Sequence, residues 1–538
     1  MKKLAGFLWD TTIYKIVVIC VFILTPSYFL CAFPQPFSAA LLLWGAAILI
    51  RDLLIKRDFL KQTGSLLLIL FCVGYAISIL LYAENELVST IHLYCWTIVE
   101  FLVLFAVDSR KKSSPQFLLR ELYKVNAVVS VVTLLTGALS LACFLLRASA
   151  ILPDLEGVNG VWFLGVVNGR NSGIFNNPIS CANAMFVGCA AALFNLVYPK
   201  GKKWYAAVGY IAAFLVCLLS LITTLTRTYV YGIYILVFIS AFIAAFQWFL
   251  RKNGKVLVRY VATVCIAAAV TGLLIGGAEA GKLLISKAAT RIPALDMQFL
   301  VDMYDNSQKP EPTEPTETEP TETEPTETEP SETEPSETKP TEPEDEKEDQ
   351  KNPSVIIGGY VNTTLNRDEI DRLPNFFYPR NELWKVALQV IPHSPVFGFT
   401  AGNRQSSSLA YGSTPYFYQY EKVGIITYHN AYFDVAVSAG LLGLGLMLLF
   451  LGLQIVRTLR TVFSRRLLEL RNREIWGLSV GVGYLAVHVV ITCMFLGVLC
   501  LTNASVCIYF WLLLGYVSKI NDHFLGGKTV FSGQKNNN

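Results

Sequence analysis

Apolar runs of about 20 residues recur along most of the chain, and this feature constrains the fold more than any other. A run of that length crosses about 30 Å of hydrocarbon as one α-helix. The chain has 538 residues, of which 53% are hydrophobic and only 16% are charged. These observations predict an all-α, polytopic membrane protein. The first run, 14–33, is interpreted as a span because it is long for a signal-peptide core and lacks a small-x-small cleavage site.

Twelve runs are predicted to span the membrane. The loops between them are alternately rich and poor in Lys and Arg. The predicted spans are 14–33, 37–55, 64–83, 88–107, 125–147, 178–198, 203–225, 228–250, 256–277, 431–456, 477–500 and 502–518. Loops on the side of the termini are rich in Lys and Arg, whereas the short connections on the other side hold only Arg147, Arg170 and Arg227. The positive-inside rule therefore predicts that both termini are cytoplasmic.

This topology divides the chain into four parts. Residues 1–277 hold spans one to nine, 278–430 form one large external loop, 431–520 hold spans ten to twelve, and 521–538 are a cytoplasmic tail. Within the loop, 310–350 repeat Pro-Thr-Glu-Thr-Glu with almost no apolar residue, which predicts an extended, disordered insertion. A wall-crossing spacer is the alternative interpretation of that tract.

Two helices are predicted inside the external loop. A surface helix over Gly281–Tyr304 is one possibility. A second helix is expected over 380–391, because Leu383, Ala387, Leu388 and Ile391 share one helical face and Pro392 stops it. We expect this second helix to lie on the outer surface of the membrane.

Several function classes have no support in the sequence. The 12 cysteines fall within predicted spans or at their edges, and no C-x-x-C occurs, so they are interpreted as small core side chains rather than metal ligands. No H-E-x-x-H or external Asp-x-Asp motif is present, and no metal or cofactor is expected. The basic loops suit contact with anionic lipids, and no aromatic-basic module indicates nucleic-acid binding.

Arginines occupy two predicted helix starts on the external side. Arg227 begins the eighth span and Arg380 begins the surface helix. A cation opposes the helix macrodipole at this end, at a cost of about 0.3–1 kcal/mol. Both positions become favourable if an anion binds there, because N-terminal N–H groups and guanidinium groups both bind phosphate. The alternative is that each arginine extends to lipid headgroups.

A histidine lies directly before the tenth span. His429 at a helix N-terminus should be kept neutral, and a neutral imidazole can act as a general base near pH 7. The alternative is a histidine that packs at the mouth of the span and bonds to Tyr428 or Tyr432. The neighbouring Asn430, and Asn177 before the sixth span, are predicted helix caps.

Four groups of residues, in this order along the chain, resemble the O-antigen ligase and polysaccharide polymerase family of membrane glycosyltransferases. They are Arg170-Asn171-Ser172-Gly173-Ile174-Phe175-Asn176-Asn177-Pro178, Thr226-Arg227-Thr228, Arg380-x3-Trp384 followed by Pro395-x2-Gly398, and His429-Asn430 with Gly440-Leu441-Leu442-Gly443. The chain departs from the family in its acidic repeat and in Thr-Arg-Thr where Ser-Arg is commoner. Neither change removes a charged group.

The resemblance implies transfer of a glycan from an undecaprenyl-pyrophosphate carrier to an acceptor hydroxyl on the outer face of the cytoplasmic membrane. The acceptor would be a glycan or a lipid, membrane lipids and other glycan-assembly proteins would be the further partners, and no nucleotide sugar or metal is needed. The implied catalytic residues are Arg227 and Arg380, which would hold the pyrophosphate, and His429, which would deprotonate or orient the acceptor. The implied substrate-binding residues are Arg170, Asn177, Tyr428 and Asn430.

Two questions stay open at this point. Both a polymerase of repeat units and a ligase to another acceptor fit, although the acidic tract, which is similar to wall-crossing tracts, favours polymer synthesis or wall attachment. The alternative from another class is a transporter or flippase, because twelve spans is a common transporter count. Transporters carry polar groups near mid-membrane, and here the spans offer Glu100 and His488, which we interpret as hydrogen-bonding across the bundle.

Overall fold

The computed structural model describes most of the apolar part of the chain. The described residues are 6–27, 34–56, 59–82, 87–107, 115–152, 162–167, 169–197, 204–249, 256–293, 295, 380–412, 427–462, 499–502 and 504–525. The acidic repeat, His488 and all but the end of the predicted span 477–500 lie outside these residues.

Helices dominate the described residues, and each predicted span that falls within them contains one. The helices are α1 (Thr11–Leu24), α2 (Pro34–Arg51), α3 (Ser65–Tyr82), α4 (Leu87–Val99), α5 (Pro115–Leu145), α6 (Pro178–Val197), α7 (Trp204–Thr223), α8 (Arg227–Phe249), α9 (Val256–Arg291), α10 (Arg380–Val390), α11 (Arg404–Tyr411), α12 (Ala431–Val462) and α13 (Ser505–Leu525). Short π-helical turns continue α2 over Asp52–Lys56 and α4 over Glu100–Leu104.

The membrane character predicted from the apolar runs is confirmed. Within the described ranges, eight helices are long and apolar enough to cross a bilayer, and α1 and the first part of α8 are shorter apolar helices. The chain is therefore a multi-pass, mainly helical membrane protein. The number of twelve spans and the cytoplasmic location of both termini remain predictions.

The last described helix, α13, occupies the centre of the bundle. It packs against α1, α5, α6, α12 and the π-helical turn after α4. Trp511 is fully buried and lies against the rings of Phe101 and Phe450, with ring centroids 4.4 and 5.7 Å away. At Gly515 an added Cβ would lie 2.1 Å from the carbonyl oxygen of Phe105, so the helices touch through their backbones there. The chain thus ends its described part inside its own core.

Glu100 takes part in this core. Its carboxylate oxygen Oε1 accepts a hydrogen bond from the Cys507 thiol of α13 at 3.3 Å. This contact agrees with the predicted hydrogen bonding across the bundle. It gives no support to a transport role for this residue.

A small antiparallel sheet between α5 and α6 corrects the purely α-helical prediction. Its strands are β1 (Ser149–Leu152), β2 (Trp162–Val167) and β3 (Arg170–Gly173), in the order β1-β2-β3. Val167 pairs with Arg170, so a two-residue connection joins β2 and β3. The sequence there is Asn-Gly, and Gly169 has φ +71°. Asn-Gly between two apolar or extended stretches is the strongest local hairpin signal, and it was the overlooked sign of this sheet.

The helix of the predicted ninth span is longer than expected. It continues without interruption to Arg291, so a helix does cover Gly281–Arg291, but as the end of α9 rather than as a separate surface helix. At about 1.5 Å per residue its 36 residues extend over about 54 Å, well beyond the hydrocarbon thickness of a bilayer.

Candidate functional site

The tenth predicted span is a broken helix, and the segment Pro395–Thr400 that follows α10 fills the break. Gly440 lies inside α12 with φ +68° and ψ −178°, a conformation that essentially only glycine adopts. The break removes backbone partners, which is costly where no water can replace them. The segment Pro395–Thr400 supplies partners instead. The four hydrogen bonds run from Phe399 N–H to the Val437 carbonyl (2.7 Å), Thr400 N–H to Ser438 (3.0 Å), Leu441 N–H to Pro395 (2.7 Å) and Leu442 N–H to Val396 (3.3 Å).

Two glycines allow this close approach. A Cβ at Gly440 would lie 2.0 Å from the carbonyl oxygen of Val396, and a Cβ at Gly398 would lie 2.5 Å from the amide nitrogen of Gly440. Gly398 also has φ +69°. The paired glycines of the Pro395-x2-Gly398 and Gly440-Leu441-Leu442-Gly443 motifs therefore face each other. They fix the segment Pro395–Thr400 to the helix that His429 precedes.

The predicted helix at Arg380 is confirmed, and its buried face differs slightly from the prediction. Residues Leu383, Val386, Ala387 and Val390 are buried in a cluster with Tyr428. Leu388 is 59% exposed, although the sequence placed it on the apolar face. The helix packs against α11 and α12, so its first residue is held close to the start of α12. Its position on the outer membrane surface remains a prediction.

Arg380 and His429 act on each other electrostatically. Burial, and then the positive charge of Arg380, lower the pKa of His429 below its usual value, while Asp434 acts in the opposite direction. A neutral imidazole was predicted from the helix macrodipole alone. In the structure, burial of His429 and the neighbouring Arg380 guanidinium lower the pKa of His429, which favours the same neutral form. The two residues are 49 positions apart in sequence, and the packing of α10 against α12 brings them together.

The two residues that flank His429 hold the backbone. Asn430 caps α12, since its side-chain oxygen accepts hydrogen bonds from the N–H groups of Tyr432 (3.0 Å) and Phe433 (3.3 Å), which confirms the predicted cap. Tyr428 is 1% exposed and its hydroxyl bonds to Ser408 of α11. Burial raises the pKa of Tyr428 to about 12. The role of both residues in substrate binding remains a prediction.

A buried ion pair next to His429 was missed by the sequence reasoning. Arg404 at the start of α11 lies 3.1 Å from Asp434 in the first turn of α12, and both side chains are buried. The Asp434 carboxylate also accepts hydrogen bonds from the Thr427 hydroxyl (2.7 Å) and from the N–H of Tyr428 (2.9 Å). An Asp in the first turn of a helix is common for macrodipole reasons, so its spacing gave no signal of this pairing.

The other predicted arginines lie at the connection between α7 and α8. Arg170, at the start of β3, donates from Nε to the carbonyl oxygen of Thr224 at 3.1 Å and lies 3.4 Å from the hydroxyl of Thr226. Asn171 is buried and its amide donates to the Thr223 hydroxyl at 2.9 Å. The exposed Arg227 follows directly as the first residue of α8. The sheet thus positions one predicted arginine beside the connection that carries another.

Asn177 has the structural role predicted for it. Its side-chain oxygen accepts a hydrogen bond from the N–H of Ser180 at 2.8 Å, which caps the start of α6, and Pro178 is the first residue of that helix. Its amide donates to Asn176 at 3.0 Å. The structure therefore gives two groups of predicted residues, one around Arg380 and His429 and one around Arg170 and Arg227, each at the beginnings of apolar helices.

The fold and these residues define a multi-pass membrane protein in which arginines and a histidine lie at or beside helix starts. Residues 211–448 match the family model described as O-antigen ligase. The resemblance predicted from the motifs is thereby confirmed over that part of the chain, which contains Arg227, Arg380 and His429. No curated protein matches the chain. An O-antigen ligase domain supports, in general terms, an enzyme that transfers lipid-linked glycans in polysaccharide biosynthesis.

Proposed function

We propose that the chain transfers a glycan from an undecaprenyl-pyrophosphate carrier to an acceptor hydroxyl on the outer face of the cytoplasmic membrane. The observation that carries this proposal is the coupling of Arg380 to a partly buried His429 with a lowered pKa. This arrangement offers a neutral base beside a guanidinium, which is the pair of groups that the reaction requires. The match to the O-antigen ligase family over 211–448 supports the same reaction class.

The reaction needs charge stabilisation on the donor. As the bond between the anomeric carbon and the phosphate oxygen breaks, the carrier pyrophosphate leaves with the electron pair and gains negative charge. In this proposal, Arg227 and Arg380 bind that pyrophosphate and stabilise the charge as it develops. Guanidinium groups suit this role because they stay charged and bind phosphate with two parallel hydrogen bonds. Arg170 supports the same group from β3.

The acceptor needs to lose a proton. The acceptor oxygen forms the new bond to the anomeric carbon, and the neutral imidazole of His429 takes the hydroxyl proton. The lowered pKa of His429 favours the form that can accept this proton. Asn430 and Asn177 cap the helix starts that line the site. Tyr428 is buried directly before His429 in the chain.

The broken helix α12 is a feature that transporters also use. In transporters the free backbone groups at such a break bind the substrate or an ion. Here the segment Pro395–Thr400 occupies the break and pairs with the backbone on both sides of Gly440. Because these groups are already used within the protein, the break favours a structural role over a transport site.

Reconstitution with a defined undecaprenyl-pyrophosphate glycan tests the proposal. We expect His429→Ala, Arg380→Ala and Arg227→Ala each to abolish product while the protein stays in the membrane. His393→Ala is the matched histidine control, since His393 lies exposed against Tyr411 and is expected to leave product unchanged. Normal glycan length and amount in all three variants would refute the proposal.

The products also separate the two forms of the reaction. Mass analysis that shows lengthening of the lipid-linked glycan would identify a polymerase. Transfer to a different acceptor would identify a ligase. Added glycan acceptor and added lipid acceptor are supplied in parallel reactions, so that each outcome has its own product.

A further inference from the structure

His429 has an unusual backbone conformation. Its φ is +51°, which places a non-glycine residue in the left-handed region. This region is uncommon for residues with a Cβ, and histidine adopts it more readily than most others. A residue in this conformation persists where the surrounding contacts fix it. The direction of the imidazole is thus set by whatever holds the backbone of 427–429.

One hydrogen bond holds this backbone directly. The N–H of His429 donates to the hydroxyl oxygen of Thr427 at 3.2 Å. The same hydroxyl donates its proton to the carboxylate of Asp434 at 2.7 Å. A carboxylate oxygen accepts hydrogen bonds, so the hydroxyl proton of Thr427 points to Asp434. A lone pair of the same hydroxyl oxygen then accepts the hydrogen bond from the N–H of His429. The carboxylate thus orients the hydroxyl that orients the histidine.

Asp434 is itself fixed from two further directions. Its Oδ1 accepts from the N–H of Tyr428 at 2.9 Å and lies 3.1 Å from the guanidinium of Arg404. Arg404 donates from Nε to the carbonyl oxygen of Ala401 at 3.1 Å. This hydrogen bond fixes its guanidinium to the residue that follows the segment Pro395–Thr400. A buried carboxylate needs such partners to remain ionised. These contacts therefore fix the position of the carboxylate that accepts the hydrogen bond of the Thr427 hydroxyl.

We propose that Thr427 and Asp434 are positioning residues for His429, with Arg404 holding Asp434 in place. This inference rests on the proposed function, in which His429 receives the acceptor proton. Neither residue needs to touch the substrate. Thr427 and Asp434 fix the imidazole of His429 in one orientation, in which the neutral ring faces the acceptor hydroxyl.

Two variants of Thr427 isolate the hydroxyl. Thr427→Val keeps the shape and removes the hydrogen bonds, and Thr427→Ser keeps the hydroxyl. We expect Thr427→Val to lower kcat about tenfold with little change in KM for the undecaprenyl-pyrophosphate glycan, the size expected for loss of one oriented hydrogen bond in the transition state. Thr427→Ser should restore kcat to near the wild-type value. A kcat for Thr427→Val within about twofold of wild type, or no recovery in Thr427→Ser, would overturn the proposal.

Asp434→Asn tests the carboxylate by pH. The charged groups that act on His429 are Arg380 from α10, which lowers its pKa, and Asp434 from α12, which raises it. Removal of the Asp434 charge should therefore move the acid limb of the kcat/KM profile to lower pH. An acid limb that stays in place or moves to higher pH would overturn the role given to Asp434. If Asp434→Asn does not fold, the Thr427 pair decides the proposal.

The outcome for His429→Ala separates this inference from the proposed function. Full activity in His429→Ala would overturn this inference, and full activity in His429→Ala, Arg380→Ala and Arg227→Ala together would also overturn the proposed function. Loss of activity in His429→Ala together with normal kcat in Thr427→Val would overturn only the positioning role. Loss in His429→Ala, a low kcat in Thr427→Val and recovery in Thr427→Ser would support both.

Discussion

Substitution of Gly440 by alanine tests the link between the segment Pro395–Thr400 and the broken helix. The added Cβ would lie 2.0 Å from the Val396 carbonyl oxygen, well inside van der Waals contact. The backbone conformation of Gly440 costs a residue with a Cβ about 1–3 kcal/mol. Displacement of Val396 would also weaken its hydrogen bond with the N–H of Leu442, which adds about 1 kcal/mol. We expect Gly440→Ala to lower the free energy of unfolding by about 2–4 kcal/mol.

The matched control lies in the same helix. Gly445 has no heavy atom within 4 Å of an added Cβ, and alanine is a better helix former than glycine by about 1 kcal/mol. Gly445→Ala should therefore unfold at the same or a higher urea concentration than wild type. The measurement is a urea titration of the purified protein in detergent, followed by tryptophan fluorescence. Equal midpoints for the two variants would refute the account of the Gly398–Gly440 contact.

Three further predictions concern charge and the external loop. Because the pKa of His429 is lowered and the proposed reaction uses its neutral form, the acid limb of the wild-type kcat/KM profile should lie below about pH 6.5. A limb above that value would contradict the role proposed for His429. Arg457→Ala should lower the free energy of unfolding by about 3–5 kcal/mol, since it removes the cation that compensates the buried Asp522 carboxylate, although Asp522 keeps its hydrogen bonds from Thr63. Substitution of the exposed Arg460 by alanine should change it by less than about 0.5 kcal/mol in the same titration. Deletion of 310–350 should leave transfer largely intact in the reconstituted assay, and complete loss of product would show that the repeat is more than an insertion.

The membrane fold could be predicted from the sequence because its signal is local. A run of apolar residues has no other stable place than hydrocarbon or a buried core, and each predicted span within the described residues does contain a helix. The caps at Asn177 and Asn430 were also readable, since a cap bonds to residues two or three positions away.

The sheet between α5 and α6 was missed for a physical reason. Its strands are short, and β1 and β2 are apolar, so in a chain dominated by apolar helices they do not stand out from the ends of the spans. The Asn-Gly pair before Arg170 was the available signal of a hairpin. The sheet matters for the site because it places Arg170 beside Thr224, and the motif that contains Arg170 does not by itself predict this position.

The contacts that shape the candidate site could not be predicted, because they join distant parts of the chain. Gly398 faces Gly440, and Arg404 pairs with Asp434, over separations of 42 and 30 residues. A sequence shows that glycines and charges are present and does not show which of them meet. The arginines and His429 were singled out because their charge is unusual at a helix start, whereas Asp434 is an ordinary first-turn residue. The residues that support the histidine were therefore the ones overlooked.

The central place of α13 has a consequence for biogenesis. The ribosome makes this helix after α1, α5 and α6, yet the inner surfaces of those three helices pack against it. Until it inserts, buried polar groups such as Glu100 and the Gln62 side chain, which donates to the carbonyl oxygen of Gly515 at 2.8 Å, lack their partners. Packing of these described helices therefore cannot be completed until α13 has been made, and the earlier helices stay less tightly packed until then. A stop codon before residue 505 would strand the chain in that state.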